Sequence, residues 1–181
     1  MSFDDDLDRR IQGFMNRKKY PVLNEQILAD IEDDELEQAI IDYVLDKIEG
    51  HYDKEYEIVT SLSEGFQAVY CTFFLEAEVD NGGFNQYFWN SSGEFATEAL
   101  DGLRLIGANE HAALMEAAIK IYAKEEPLHR RFRLENTLEA FRESYKHTRL
   151  NEVDRRFYKL EALSPKRIRY IREHPEEFRG D

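Results

Sequence analysis

Apolar residues three and four positions apart recur along nearly the whole chain, and this spacing permits little other than amphipathic helices packed on a shared core. The segment ILADIEDDELEQAIIDYVLDKIEG places Leu36, Ile40, Tyr43, Val44 and Ile48 on one face and stops at Gly50, a residue suited to the left-handed position after a helix. SLSEGFQAVYCTFFLEAEVDNGG follows, with Ser61 and Glu64 at capping-box spacing and Phe66, Val69, Tyr70, Phe73 and Phe74 as the expected central helix. Next come a short turn FNQYFWN, then EFATEALDGLRLIGA, and then NEHAALMEAAIKIYA, which Asn109 is placed to cap and Pro127 to end near Glu125. LENTLEAFRESYKH and LNEVDRRFYKLEAL read as helices, and Ser164 with Pro165 opens a last one that Pro175 closes. Only YEIVTSL has moderate strand propensity, and a loop leading into a helix competes with it. The expected fold is all-α, a compact single-domain multi-helix bundle over residues 1–181, with an acidic N-terminal part at 1–60 and a helical core at 61–178.

Charge is the extreme feature of the composition. The chain has 181 residues and a formal net charge of −14, and residues 1–80 carry 21 acidic against 7 basic side chains while residues 81–181 are balanced at 17 each. Such a first half repels nucleic acid and anionic membranes and attracts basic proteins, so no direct nucleic-acid or membrane partner is expected. MSFDDDLDRR lacks the basic and apolar regions of a secretory leader, and a cytoplasmic protein is expected. Cys71 has no partner for a disulfide or a metal site and reads as an inert core thiol.

Catalytic motifs are missing. There is no HExxH, GxSxG, Walker loop or dinucleotide fingerprint, and the five histidines are scattered, so no enzyme, cofactor or metal is expected. His111 and Met115 read as surface plus core, and Glu76, Glu78 and Asp80 as a solvated helix end. Two stretches remain as candidate sites. The first is the acidic run. At 100° per residue from Leu36, Glu35, Asp42, Asp46 and Glu49 fall at about 260°, 240°, 280° and 220°, opposite a core face near 0°. Asp30, Glu32, Asp33 and Asp34 add charge at the N-terminal end, where the helix dipole tolerates it. Nine acids and one lysine between Asp30 and Glu49 give about one net charge per 4 Å of helix, close to the 3.4 Å spacing of one DNA strand. This stripe is the expected partner-binding surface, although an ordinary solvated helix face gives the same pattern.

The second is NGGFNQYFWNSSG, free of charge from Asn81 to Gly93. Asn81, Asn85, Gln86, Asn90, Ser91 and Ser92 supply neutral donors and acceptors, and Phe84, Tyr87, Phe88 and Trp89 an apolar wall, which suits a small-ligand or enzymatic pocket. The competing structural reading uses every residue. Gly82 or Gly83 takes a positive φ, Phe84, Tyr87 and Phe88 face the core, and Asn90 or a serine caps a helix near Glu94.

NGGFNQYFWNSSG, the following ALDGLRLIGA and the terminal RIRYIREHPEEF together resemble a bacterial all-helical family named for a DNA-mimic protein, over about Leu62 to Phe178. The resemblance implies a small, helical, dimeric protein, whose best-understood relative occupies the DNA-binding face of a helix-turn-helix regulator with a carboxylate surface. The expected function is therefore a non-enzymatic acidic interaction protein that binds a basic, DNA-binding partner. His129 to Arg179 carries 14 basic against 9 acidic residues, a tail suited to the acidic half of another subunit in a homodimer.

Overall fold

A computed structural model describes residues 12, 13 and 15–180. Ten α-helices account for most of them: α1 (Glu25–Asp30), α2 (Asp33–Ile48), α3 (Glu55–Ser61), α4 (Glu64–Trp89), α5 (Ala96–Leu105), α6 (Asn109–Lys124), α7 (Glu126–Glu135), α8 (Leu138–His147), α9 (Leu150–Phe157) and α10 (Ser164–Glu173). Among the described residues the only bridge is the antiparallel pair Leu23 with Gly180, whose two backbone bonds of 3.0 and 3.1 Å pin the start of the bundle to its end. The all-α expectation holds. MSFDDDLDRR lies outside the described residues.

Residues of α4 run through the centre. Its buried Phe66, Val69, Tyr70, Leu75 and Val79 belong to one core cluster that extends from Leu23 to Phe178. Each such side chain contributes about 1.5–3 kcal/mol of burial. On one side α2 brings Tyr43 to stack on Phe66 with ring centroids 5.0 Å apart. On another, α5 closes to backbone distance because Gly102 has no side chain, and a Cβ there would lie 2.8 Å from the Cα of Ala68. Arg167 of α10 is 1% exposed and ties three helices together. It bonds Glu37 of α2 and, at 2.6 Å, Glu76 of α4; those carboxylates also accept from Ser164 Oγ and the Leu163 N–H, each at 2.6 Å.

Several boundaries differ from the sequence expectation. The acidic segment is two helices, because Asn24 caps α1 through the Ile27 N–H and Ile31 and Glu32 are extended before α2 begins at Asp33. YEIVTSL is helical in α3 up to Ser61, with Leu62 as its extended cap. Ser61 and Glu64 form no capping box: α4 starts after Ser63, and Ser61 Oγ donates to the Ile58 carbonyl. Asn109 lies inside α6 rather than capping it. Asn136, in the left-handed region at φ 45°, splits LENTLEAFRESYKH, and Thr137 caps α8 through the Ala140 N–H. Gly50 at φ 79°, the end of α6 at Lys124 and the span of α10 agree with expectation.

Candidate functional site

Two surfaces need to be placed, the charge-free motif and the acidic run. The motif interrupts α4. Gly82 (φ −160°, ψ 25°) and Gly83 (φ 71°, ψ 179°) leave helical geometry, and the helix resumes at Phe84. A break of this kind frees backbone groups that must find other partners. Here α8, α9 and the residue that ends α9 supply them. Tyr158 donates its hydroxyl to the Val79 carbonyl at 2.9 Å, Tyr145 to the Gly82 carbonyl at 2.7 Å, and Asp154 accepts the Phe84 N–H at 2.8 Å. Asp154 therefore caps the second half of α4 from across the bundle. Burial pushes its carboxyl up from the ordinary range, and the Phe84 N–H works against that shift.

The motif's amides are spent in the same way. Asn85 donates to Ser144 Oγ at 2.8 Å, and Gln86 and Asn90 both donate to Glu78 at 2.7–3.0 Å. Asn90 does not cap the turn at Ser91–Phe95 with its side chain. Phe84, Tyr87 and Phe88 face the core as expected; Phe84 meets Phe157 edge-on and Phe88 stacks on Tyr122 at 4.2 Å. Asn81 and Ser91 are exposed, away from this network. A groove of about 440 Å³ does lie along Gln86, Trp89 and Asn90 against the start of α8. Three of its four polar lining residues are already engaged, Gln86 and Asn90 on Glu78 and Thr137 on Ala140. Two buried atoms of the motif lack a partner among the described residues, Asn85 Oδ1 and Tyr87 Oη, and neither residue lines the groove.

The acidic run is altered more. Asp30, Glu32, Asp33, Asp34, Glu35, Asp46 and Glu49 are exposed, but Asp42 is 2% exposed. Its place on the helix is the one expected, away from the core. What buries it is the chain segment at residues 16–20, which crosses that face. Arg17 Nε and Nη2 grip the two Asp42 oxygens at 2.5 Å each, Gln38 donates to Asp42 at 2.8 Å, and Lys19 pairs with Asp46 at 2.6 Å. The Asp42 bond holds the Arg17 guanidinium above its usual range, and Asp46 does the same for Lys19.

The basic tail neutralises more of the run, and it does so within one chain. Arg172 bonds Asp33 at 2.7 Å and the Leu28 and Ile31 carbonyls at 2.5 Å, and Arg179 pairs with Glu25. Of the nine acids between Asp30 and Glu49, Asp33, Glu37, Asp42 and Asp46 thus pair with the protein's own cations. Asp30, Glu32, Asp34, Glu35 and Glu49 form no ion pair among the described residues. The stripe becomes a four-carboxylate cluster at the start of α2 with Glu49 at the far end. Sequence reasoning missed Arg17, Lys19 and Gln38, although the run NRKK at 16–19 beside so acidic a segment was a usable signal. It also missed Asp154, Tyr145 and Tyr158, for which spacing offered none.

Other candidates resolve as core. Cys71 is buried, and burial pushes its thiol well up, away from reactivity. His111 and Met115 are both buried, so His111 is not the surface residue expected. Among the described residues no group of His, Cys, Asp and Glu is placed to hold a metal, and no helix is long and apolar enough to cross a membrane.

The protein is of the all-α class, a multi-helix domain whose central helix is broken at a glycine pair and sealed by one carboxylate and two phenols. Residues 60–174, more than half of the chain, match the DMP19-like protein family, and the chain belongs to that family. No curated protein and no solved structure matches it. The matched span contains the glycine break and its seal and begins after the acidic run.

Proposed function

We propose that this protein is a non-enzymatic interaction protein that presents carboxylates to a basic, DNA-binding partner and blocks that partner's DNA contacts. The observation that supports the reading is the exposed cluster Asp30, Glu32, Asp34 and Glu35, which has no ion pair among the described residues in a chain of net charge −14. Membership of the DMP19-like family is consistent with it. Four carboxylates within six residues around the α1–α2 junction create a local potential that attracts Lys and Arg side chains, and binding governed by it is fast and falls steeply with salt.

The test is charge reversal confined to exposed positions. D34K/E35K/E49K leaves the fold intact, since none of the three is buried, and is expected to lose the partner at low salt. Asp42 is left out because it is held under Arg17. Equal capture of a DNA-binding protein by wild type and triple variant would defeat the proposal.

A further inference from the structure

The segment at residues 16–20 sits on the acidic face as a partner would. Arg17 meets Asp42 and Lys19 meets Asp46, and the two registers agree. Two residues of extended chain span about 7 Å, and four residues of α-helix rise about 6 Å. Basic residues at alternate positions of an unwound segment therefore fall on carboxylates four apart on α2. The row Asp34, Gln38, Asp42, Asp46 continues that spacing, and Arg17, Lys18 and Tyr20 line a small cavity of about 150 Å³ against it.

We propose that residues 16–20 form an autoinhibitory strap, and that a partner offering an extended segment with Arg or Lys at alternate positions binds by displacing it. This rests on the carboxylate-surface reading above. The strap is built to exchange. Among the described residues no backbone hydrogen bond ties residues 18–22 to α2; the contacts there include the ion pairs and the packing of Tyr20 on the core, and the Leu23–Gly180 bridge follows as a hinge. The Lys19–Asp46 pair is solvent-exposed and so contributes little. Arg17 of the strap and Gln38 hold Asp42, so when the strap leaves, Asp42 turns to water or to the incoming cation. Release returns Asp42 and Asp46 to the gap between the cluster at Asp34–Glu35 and Glu49, and the interrupted run becomes continuous.

The experiment uses the full chain and a short peptide of alternating arginine and serine. A nitroxide on M15C, a position 71% exposed beside the strap, reports strap docking, and buried Cys71 takes no label. R17A/K19A removes the strap's charges. R130A/R131A removes two cations from Glu126 and Glu135 on α7 and matches the change in net charge. The expected result is that peptide binding mobilises the label in wild-type background, and that R17A/K19A binds the peptide about fivefold tighter than wild type while R130A/R131A changes less than about twofold. Salt-sensitive binding with an unmoved label, and equal tightening by both double variants, overturns the strap and leaves the carboxylate surface standing. Absence of peptide binding by all three proteins removes both. The spin-label arm needs no strap substitution, so it decides the matter even if R17A/K19A folds poorly.

Discussion

At the glycine break a single atom, the Phe84 amide nitrogen, shows why Asp154 is where it is. The φ of 71° at Gly83 opens α4, and a Cβ there would lie 2.8 Å from the Asp154 carboxyl carbon and closer still to one of its oxygens. G83A is therefore expected to cost about 2 kcal/mol or more, from left-handed strain together with the collision. D154A leaves the buried Phe84 N–H without a partner and is expected to cost about 1–3 kcal/mol. Chemical denaturation measures both, and a G83A protein as stable as wild type would show that the break is not required. Arg167 gives a larger effect. R167M leaves Glu37 and Glu76 facing one another without their cation, an expected loss of about 3–5 kcal/mol. The positive φ at one of the two glycines and the core-facing aromatics were legible, because they depend on local geometry. Asp154, Tyr145 and Tyr158 were not, because each seals a backbone group more than sixty positions away.

On the scale of elements, α2 explains how a correct helical angle led to an incorrect surface. The wheel places Asp42 opposite the core of its own helix, and that placement is right. It carries no information about a segment twenty-five positions earlier that folds back across the same face. Separating α1 from α2 also depended on a detail, the extended Ile31 and Glu32 between them, which a continuous run of acids conceals. Helix identity was readable except over residues 126–133 of α7, where Pro127 was taken only as a stop and instead sits in the first turn of a new helix, whereas caps were misassigned at Ser61, Asn90 and Asn109, where one polar residue competes with a neighbour for the boundary. The same geometry separates the roles of acids in one helix: D42N is expected to destabilise by disrupting the Arg17 grip, while D34N is expected to leave stability within about 0.5 kcal/mol and to weaken partner binding. Thermal unfolding and binding measured on both variants check the division.

For the whole molecule, the charge segregation has an intramolecular outlet as well as an outward face. Arg167, Arg172 and Arg179 of the basic tail reach Glu37, Asp33 and Glu25 of the same chain, so the tail-to-acid attraction expected between subunits is satisfied at least in part within one. Acid should loosen the bundle through its buried histidines. Burial lowers the pKa of His111 and of His129 below the ordinary 6.5, so the unfolded chain binds more protons just below that pH. Their contribution is complete above about pH 6.5 and is lost as pH falls from there toward the folded values. The thermal midpoint is expected to drop across that window, and H111Q/H129Q to flatten the drop.

The central claim is that carboxylates outside the family-matched span take the place of DNA on a basic partner. Its most direct test is competition: a DNA-binding protein captured from the native cell extract is loaded on labelled DNA, and the loss of DNA is followed as wild-type protein or D34K/E35K/E49K is added at low salt. Displacement by wild type, little or none by the triple variant, and suppression of the effect by high salt are the predicted results. Equal displacement by the triple variant would contradict the account.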